Sequence, residues 1–128
     1  MDENQIGTVV IGAAIRVHRV LGPGLLERVY ETALAYEFEQ QGLKVERQVA
    51  VPIVYRGLVL DEGFRADMIV NNLVLLELKS VETVTAAHRK QVQTYVNLMG
   101  LRLGYLLNFG DAVMRSGITR CVNRLPEK

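Results

Sequence analysis

The stretch 64–79, FRADMIVNNLVLLELK, limits what this chain can become more than any other. Two runs of alternating side chains flank Asn71-Asn72, which is hairpin punctuation. In the first run Ala66, Met68 and Val70 are expected on one face and Arg65, Asp67 and Ile69 on the other. In the second run Val74, Leu76 and Leu78 share a face, opposite Leu75, Glu77 and Lys79. The apolar sets coincide only if even-numbered residues pair with even-numbered ones. A two-residue turn at Asn71-Asn72 would pair Val70 with Leu73 and put the apolar sets on opposite faces. The sequence therefore predicts a three-residue loop with one residue in the left-handed region, where asparagine is the best candidate after glycine.

The same register gathers Asp67, Glu77 and Lys79 on one face. Two carboxylates about 4 Å apart repel by about 4 kcal/mol at an effective dielectric near 20, which a lysine relieves in part and a divalent cation relieves further. Hard oxygen donors of this kind suit Mg²⁺ or Mn²⁺. The competing interpretation is a solvated face that happens to carry a Glu–Lys pair.

At 128 residues the chain 1–128 is expected to be a single domain, long enough to bury its own core. Hydrophobic residues make up 49% and charged residues 23%, which argues against disorder. No apolar run approaches the roughly 18 residues of a membrane-spanning helix. The N-terminus MDENQIG is acidic and unlike a signal peptide, so cytoplasmic residence is the expectation. Cys121 is the single cysteine, which excludes a zinc ribbon or finger of the usual kind; it is expected to be an unreactive strand residue. A net charge of +1 gives no strongly basic footprint, although arginines outnumber lysines.

Helical spacing of Ile6, Val9, Val10, Ala13, Val17 and Val20 predicts a helix over 5–21, with His18 exposed or capping near its end. Gly22-Pro23-Gly24 breaks the chain. A second helix is expected over 25–41, its core stripe Leu26, Val29, Ala33 and Tyr36, with Glu27, Tyr30 and Leu34 on an adjoining face and Gly42 as C-cap. From Leu43 the period becomes two: Val45, Arg47, Val49, Val51, Ile53 and Tyr55 alternate with Lys44, Glu46, Gln48 and Ala50. Pro52 marks an edge strand or a bulge. Arg56-Gly57 reads as a tight turn, and Asp61-Glu62-Gly63 as a further break before Phe64. A third helix over 84–99 starts at a Thr83 or Thr85 cap and ends at Gly100. Strands are expected in 101–110 and, as a last edge, in 117–125. The order α, α, β, β, β, α, β, β, without repeats or linkers, is that of a mixed α/β (α+β) domain with helices against a sheet.

The spacing D-x₉-E-x-K on a hairpin followed by a helix resembles the active-site core of the PD-(D/E)xK nuclease superfamily. Gly24-Leu25-Leu26-Glu27-Arg28-Val29-Tyr30 is similar to the signature of its GxxExxY family. The likeness continues through Arg65-Ala66-Asp67, Glu77-Leu78-Lys79, His88-x-x-Gln91-x-x-x-Tyr95 and Leu107-Asn108-Phe109. Ala66 stands where the superfamily name has proline, a position at which the superfamily is tolerant. The resemblance implies a restriction-endonuclease-like core, α-β-β-β-α-β, here with an extra N-terminal helix and a C-terminal stretch able to add an edge strand. It implies Glu27, Asp67 and Glu77 as acids on Mg²⁺ or Mn²⁺, with the Leu78 carbonyl also facing the metal. Lys79 would position or help deprotonate the attacking water. Tyr30, Arg65, His88, Gln91 and Tyr95 would support the site or the substrate, the last three as a set resembling the Q-x-x-x-Y motif of RecB-like nucleases. For His88, Gln91 and Tyr95 a partly buried polar stripe is the alternative, and for Tyr30 a core aromatic whose hydroxyl finds Glu27 or a strand.

The implied activity is metal-dependent hydrolysis of phosphodiester bonds in DNA or, second, RNA. Two other readings stay open. One is a nucleic-acid-binding or regulatory module that needs a partner, such as a second copy in a homodimer. The other is a scaffold in which Lys79 satisfies the acids without metal.

Overall fold

The central hairpin forms in the register that apolar burial demands. In the computed structural model, which describes residues 1–126, β2 (Leu58–Val70) and β3 (Val74–Lys79) pair antiparallel with Met68 opposite Leu76 and Val70 opposite Val74. The loop has three residues, and two of them, Asn71 (φ 52°) and Asn72 (φ 57°), are left-handed rather than one. Asn71 is further fixed because its N–H donates to Lys44 O and its Oδ1 accepts from Lys44 N, both at 2.8 Å.

Around this hairpin lies a five-stranded sheet in sequence order: β1 (Val45–Tyr55), β2, β3, β4 (Leu103–Asn108) and β5 (Ile118–Val122). Only β3 and β4 are parallel, and α3 (Ala86–Met99) makes the crossover between them. Helices α1 (Glu3–Leu21) and α2 (Glu27–Gln40) cover one face, where Ile6, Val10, Leu34 and Phe38 meet Met68, Val70, Leu76 and Leu107. On the other face Val92 and Val96 of α3 meet Phe64, Ala66, Ile69, Leu75 and Leu106. β4 is buried along its whole length, as a strand covered on both faces should be. A short 3₁₀ turn, Met114–Gly117, precedes β5. The architecture is the expected mixed α/β one, with the extra N-terminal helix and the C-terminal edge strand both present.

Capping explains where α1 and α3 begin, whereas α2 starts after Leu26 without a side-chain cap. Asp2 and Gln5 form a capping box on α1; Thr85 and His88 form one on α3. Gly100, at φ 67°, ends α3 in the left-handed region that costs glycine nothing.

Several expectations are corrected. Ala66 does not share a face with Met68 and Val70: it joins Phe64 against α3, while they face α1 and α2. Likewise Val45 packs on the α1/α2 side, whereas Val49, Val51 and Ile53 pack on the α3 side. The alternation of both strands therefore changes phase around Gln48 and Asp67. Gln48 carries the cause, a φ of 50° in mid-strand. Asp61-Glu62-Gly63 does not break the chain; β2 runs through it, and the irregularity is a register shift between Val51 and Ile53, across Pro52. Gly63 tolerates it because Ile53 lies where a Cβ would project.

The core face of α2 is also not the expected one. Tyr30, Leu34, Ala35 and Phe38 are buried, whereas Leu26 is 79% and Tyr36 60% exposed. Together with Val17, Val20 and Leu21 of α1, the Leu26–Tyr36 stripe lines an open apolar groove of about 970 Å³. Val20, expected in the core, is exposed on it. His18, expected at the surface, is buried, with Nε2 2.8 Å from Asp111 O and its ring stacked on Phe109. Cys121 is a buried strand residue whose thiol is pushed up by burial, away from the reactive thiolate. Among the described residues no helix is long and apolar enough to cross a membrane.

Candidate active site

Beyond Met68 and Leu76 the β2–β3 ladder stops, and side chains take over its hydrogen bonds. The N–H of Asp67 donates to Glu77 Oε2 at 2.7 Å, and the N–H of Leu78 donates to Asp67 Oδ2 at 2.8 Å. Each acid thus replaces a backbone carbonyl of the partner strand, and the strands part around the two carboxyl groups. Glu77 is 5% exposed.

Both carboxyls respond to this confinement. Burial holds the Asp67 carboxyl above the usual range, against the opposing pull of the Leu78 N–H and the Gln48 amide; the charges of Glu31 and Glu27 add to the rise. Glu77 is pushed up to about 8, first by burial and then by the Asp67 charge, with the Asp67 N–H and Lys79 working the other way. Lys79 makes no ion pair within 4.0 Å among the described residues, so its ammonium tempers Glu77 from a distance.

Glu27 approaches from the first turn of α2, and its Oε2 accepts from the N–H of Ser80 at the end of β3, 3.3 Å away. The turn that aims it is braced from beneath. The Tyr30 hydroxyl donates to Gly22 O at 2.6 Å and accepts from the Leu25 N–H at 3.0 Å, while its ring stacks on Phe109 at 4.3 Å. Tyr30 is therefore a buried strut of the Gly-Pro-Gly turn; its hydroxyl bonds neither Glu27 nor a strand. The Ser80 hydroxyl adds a bond to Leu25 O at 2.6 Å, tying that turn to β3.

A cleft of about 320 Å³ opens here, lined by Glu27, Arg28, Glu31, Gln48, Asp67 and Leu78. The sequence did not single out Glu31 or Gln48. Glu31 is buried, accepting from Arg47 Nε at 2.8 Å and from Gln48 Nε2 at 2.6 Å. The same Gln48 amide lies 3.4 Å from Asp67 Oδ1. The signal for Glu31 was available, since Glu27 and Glu31 stand four residues apart on one helix face. No residue-type signal marks Gln48, because its role depends on its left-handed backbone.

The remaining expected residues are less central. Arg65 Nη1 donates to Gln48 O at 3.0 Å and Nη2 pairs with Glu62 at 2.9 Å. Tyr95 stacks on Phe64 at 3.9 Å; burial and the charges of Glu77 and Asp67 raise its hydroxyl. His88 is engaged in the α3 capping box, with Nδ1 accepting from the Thr85 N–H, and Gln91 is exposed. Among the described residues, no group of three or more His, Cys, Asp or Glu converges closely enough to hold a metal ion as placed.

Residues 4–121 match the PD-(D/E)XK nuclease superfamily, and the chain belongs to it. A crystal structure of the protein SSO0001 has a similar fold, with a TM-score of 0.55 and 20% identity. The similarity covers 78% of this chain and 52% of that one, so this chain spans about half the length of that protein. A comparison with curated proteins finds no match. Nucleases of this superfamily generally use divalent metals.

Proposed function

We propose that the chain is a metal-dependent phosphodiesterase acting on nucleic acid, DNA before RNA, and that it is of the GxxExxY type its Gly24–Tyr30 segment resembles. The observation that carries this reading is the parted end of β2 and β3. There the half-buried carboxyl of Asp67 and the buried one of Glu77 face one another's backbone and are held above their ordinary pKa beside a cleft edged by Glu27. Burying two acids together is costly unless they are paired or bind a cation.

The donor set suits Mg²⁺ or Mn²⁺: hard carboxylate oxygens from Asp67, Glu77 and Glu27, with the Leu78 carbonyl as a further candidate. Such an ion would supply a water nucleophile at neutral pH and charge stabilisation at the phosphate. The chain's own part is to hold Asp67 by the Leu78 N–H and the Gln48 amide, to hold Glu77 by the Asp67 N–H, and to keep Lys79 close enough to orient a water and offset charge developing on phosphate. Arg28 at the cleft would meet a substrate phosphate, and Arg65 beside it would do so only on leaving Glu62.

Cleavage of labelled single- and double-stranded DNA and RNA with Mn²⁺ present tests the reading. Activity is expected in the wild type and at least about a hundredfold less in Asp67→Ala and Lys79→Ala. Equal product from wild type and Asp67→Ala would sink it. A second reading, a module whose site closes only on a partner, is favoured by the acids not being drawn together as placed. It predicts neither tight Mn²⁺ binding nor cleavage by the isolated chain, and both once the partner is supplied.

A further inference from the structure

Two exposed apolar surfaces lie outside the candidate site. The first is the groove between α1 and α2, with Val20, Leu26, Val29 and Tyr36 open to solvent. Its rim carries Arg16, Arg19 and Arg28 against the single acid Glu37. Arg16 already binds Glu37 at 2.8 Å, while Arg19 and Arg28 make no ion pair among the described residues.

The second is the far end of the β1–β2 hairpin, residues 51–63, which runs past the last pairing of β2 with β3. Tyr55 and Leu58 pair across one face of this arm and Val54 and Val59 across the other, and all four are more than half exposed. A two-stranded ribbon with apolar side chains on both faces is poorly stable and poorly soluble alone. The arm bears Asp61 and Glu62 against Arg56, and Asp61 makes no ion pair among the described residues.

We propose that the arm of a second copy of this chain fills the groove, and that two copies exchange arms reciprocally about a two-fold axis. Asp61, the acid of the arm without an ion pair among the described residues, meets Arg19 and Arg28 of the groove, which have none either; Glu62 is already held by Arg65, and Arg56 sits at the tip of the arm. Groove against groove would instead set these two arginines, Arg19 and Arg28, against the same two. Pairing through the open edge of β1 is obstructed, because Pro52 has no N–H to offer and Gln48 turns the strand out of extended geometry. Nucleic acid suits the groove less, since its floor is aliphatic apart from Tyr36 and stacking of bases calls for aromatic platforms. A reciprocal exchange closes on itself and covers both apolar surfaces of both copies. Arg28 lines the groove as well as the catalytic cleft, so a seated arm abuts its neighbour's site.

Sedimentation velocity of the full chain at tens of micromolar is expected to give twice the 14.3 kDa chain mass. Val20 is 82% exposed and Leu58 61%, so Val20→Lys in the groove and Leu58→Lys on the arm leave the fold intact, with circular dichroism as the check. Each is expected to weaken self-association at least about tenfold. Mixing the two variants restores dimer, because one of the two contacts is then wild type on both sides. A monomeric wild type overturns the proposal, as does a dimer indifferent to Leu58→Lys or a mixture that stays monomeric. Binding of oligo(dT) to a monomer, lost in Val20→Glu, would give the groove to nucleic acid instead. None of these outcomes depends on cleavage.

Discussion

Gln48 shows how much of the site rests on one backbone angle. A left-handed glutamine inside a strand is strained, and its amide is held between Glu31 and Asp67. Alanine at this position keeps the strain and loses the amide, whereas glycine loses both. In an ordinary strand glycine is the less stable of the two by about 0.5–1 kcal/mol. Here the order is expected to invert, Gln48→Gly exceeding Gln48→Ala by about 1 kcal/mol in urea unfolding, with both variants impaired in cleavage. The usual order would show that the angle is not held in solution. Glu77 supplies the titrating counterpart. Its carboxyl ordinarily loses its proton at 4.5 and here keeps it to about 8. Because the folded value is the higher one, the stability it contributes is complete below pH 4.5 and is lost as pH rises to about 8. The metal-free protein is therefore expected to be more stable at pH 5 than at pH 8.5, by on the order of a few kcal/mol. Glu77→Gln should flatten that dependence in pH-stepped thermal melts; an unchanged slope would assign it elsewhere.

Among the elements, the hairpin was the most legible in the sequence, and its loop carries a sharp test. Deleting Asn72 leaves a two-residue connection, which moves every side chain of one strand to the opposite face. Either Met68 and Val70 leave the core or Asp67 and Glu77 part, so the variant is expected to unfold at least about 3 kcal/mol more easily than wild type and to show no cleavage. A stable, active deletion would refute the register. The hairpin could be read because apolar alternation and two asparagines allow only one solution. α2 could not, because it is apolar on two sides: Tyr30, Leu34 and Phe38 on one, Leu26, Val29, Ala33 and Tyr36 on the other. Helical periodicity ranks such stripes by hydrophobicity alone, and it cannot tell a core face from an uncovered groove. The phase change at Gln48 and Asp67 was hidden for a different reason. A left-handed glutamine is chosen by tertiary bonds to Glu31 and Asp67, not by local propensity.

At the scale of the whole molecule, the proposed metal site would couple protons, metal and folding into one equilibrium. A cation held by Asp67 and Glu77 requires both as carboxylates, so binding must release the proton that burial and the neighbouring charge keep on Glu77. Below pH 8 some of the binding energy is spent on that release; above it none is. An ion held only by the folded chain would show its affinity directly as stability, about 2.7 kcal/mol at a concentration a hundred times the dissociation constant. Mn²⁺ is thus expected to raise the thermal midpoint at pH 8.5 by clearly more than at pH 6, opposing the alkaline loss of stability of the metal-free chain. Differential scanning fluorimetry at the two pH values, with Asp67→Ala as control, reads this directly. A shift of equal size at both pH values would mean that the ion does not use Glu77. A shift preserved in Asp67→Ala would place it outside the parted strands, and the four-residue site of Glu27, Asp67, Glu77 and Lys79 would have to be abandoned as a metal centre.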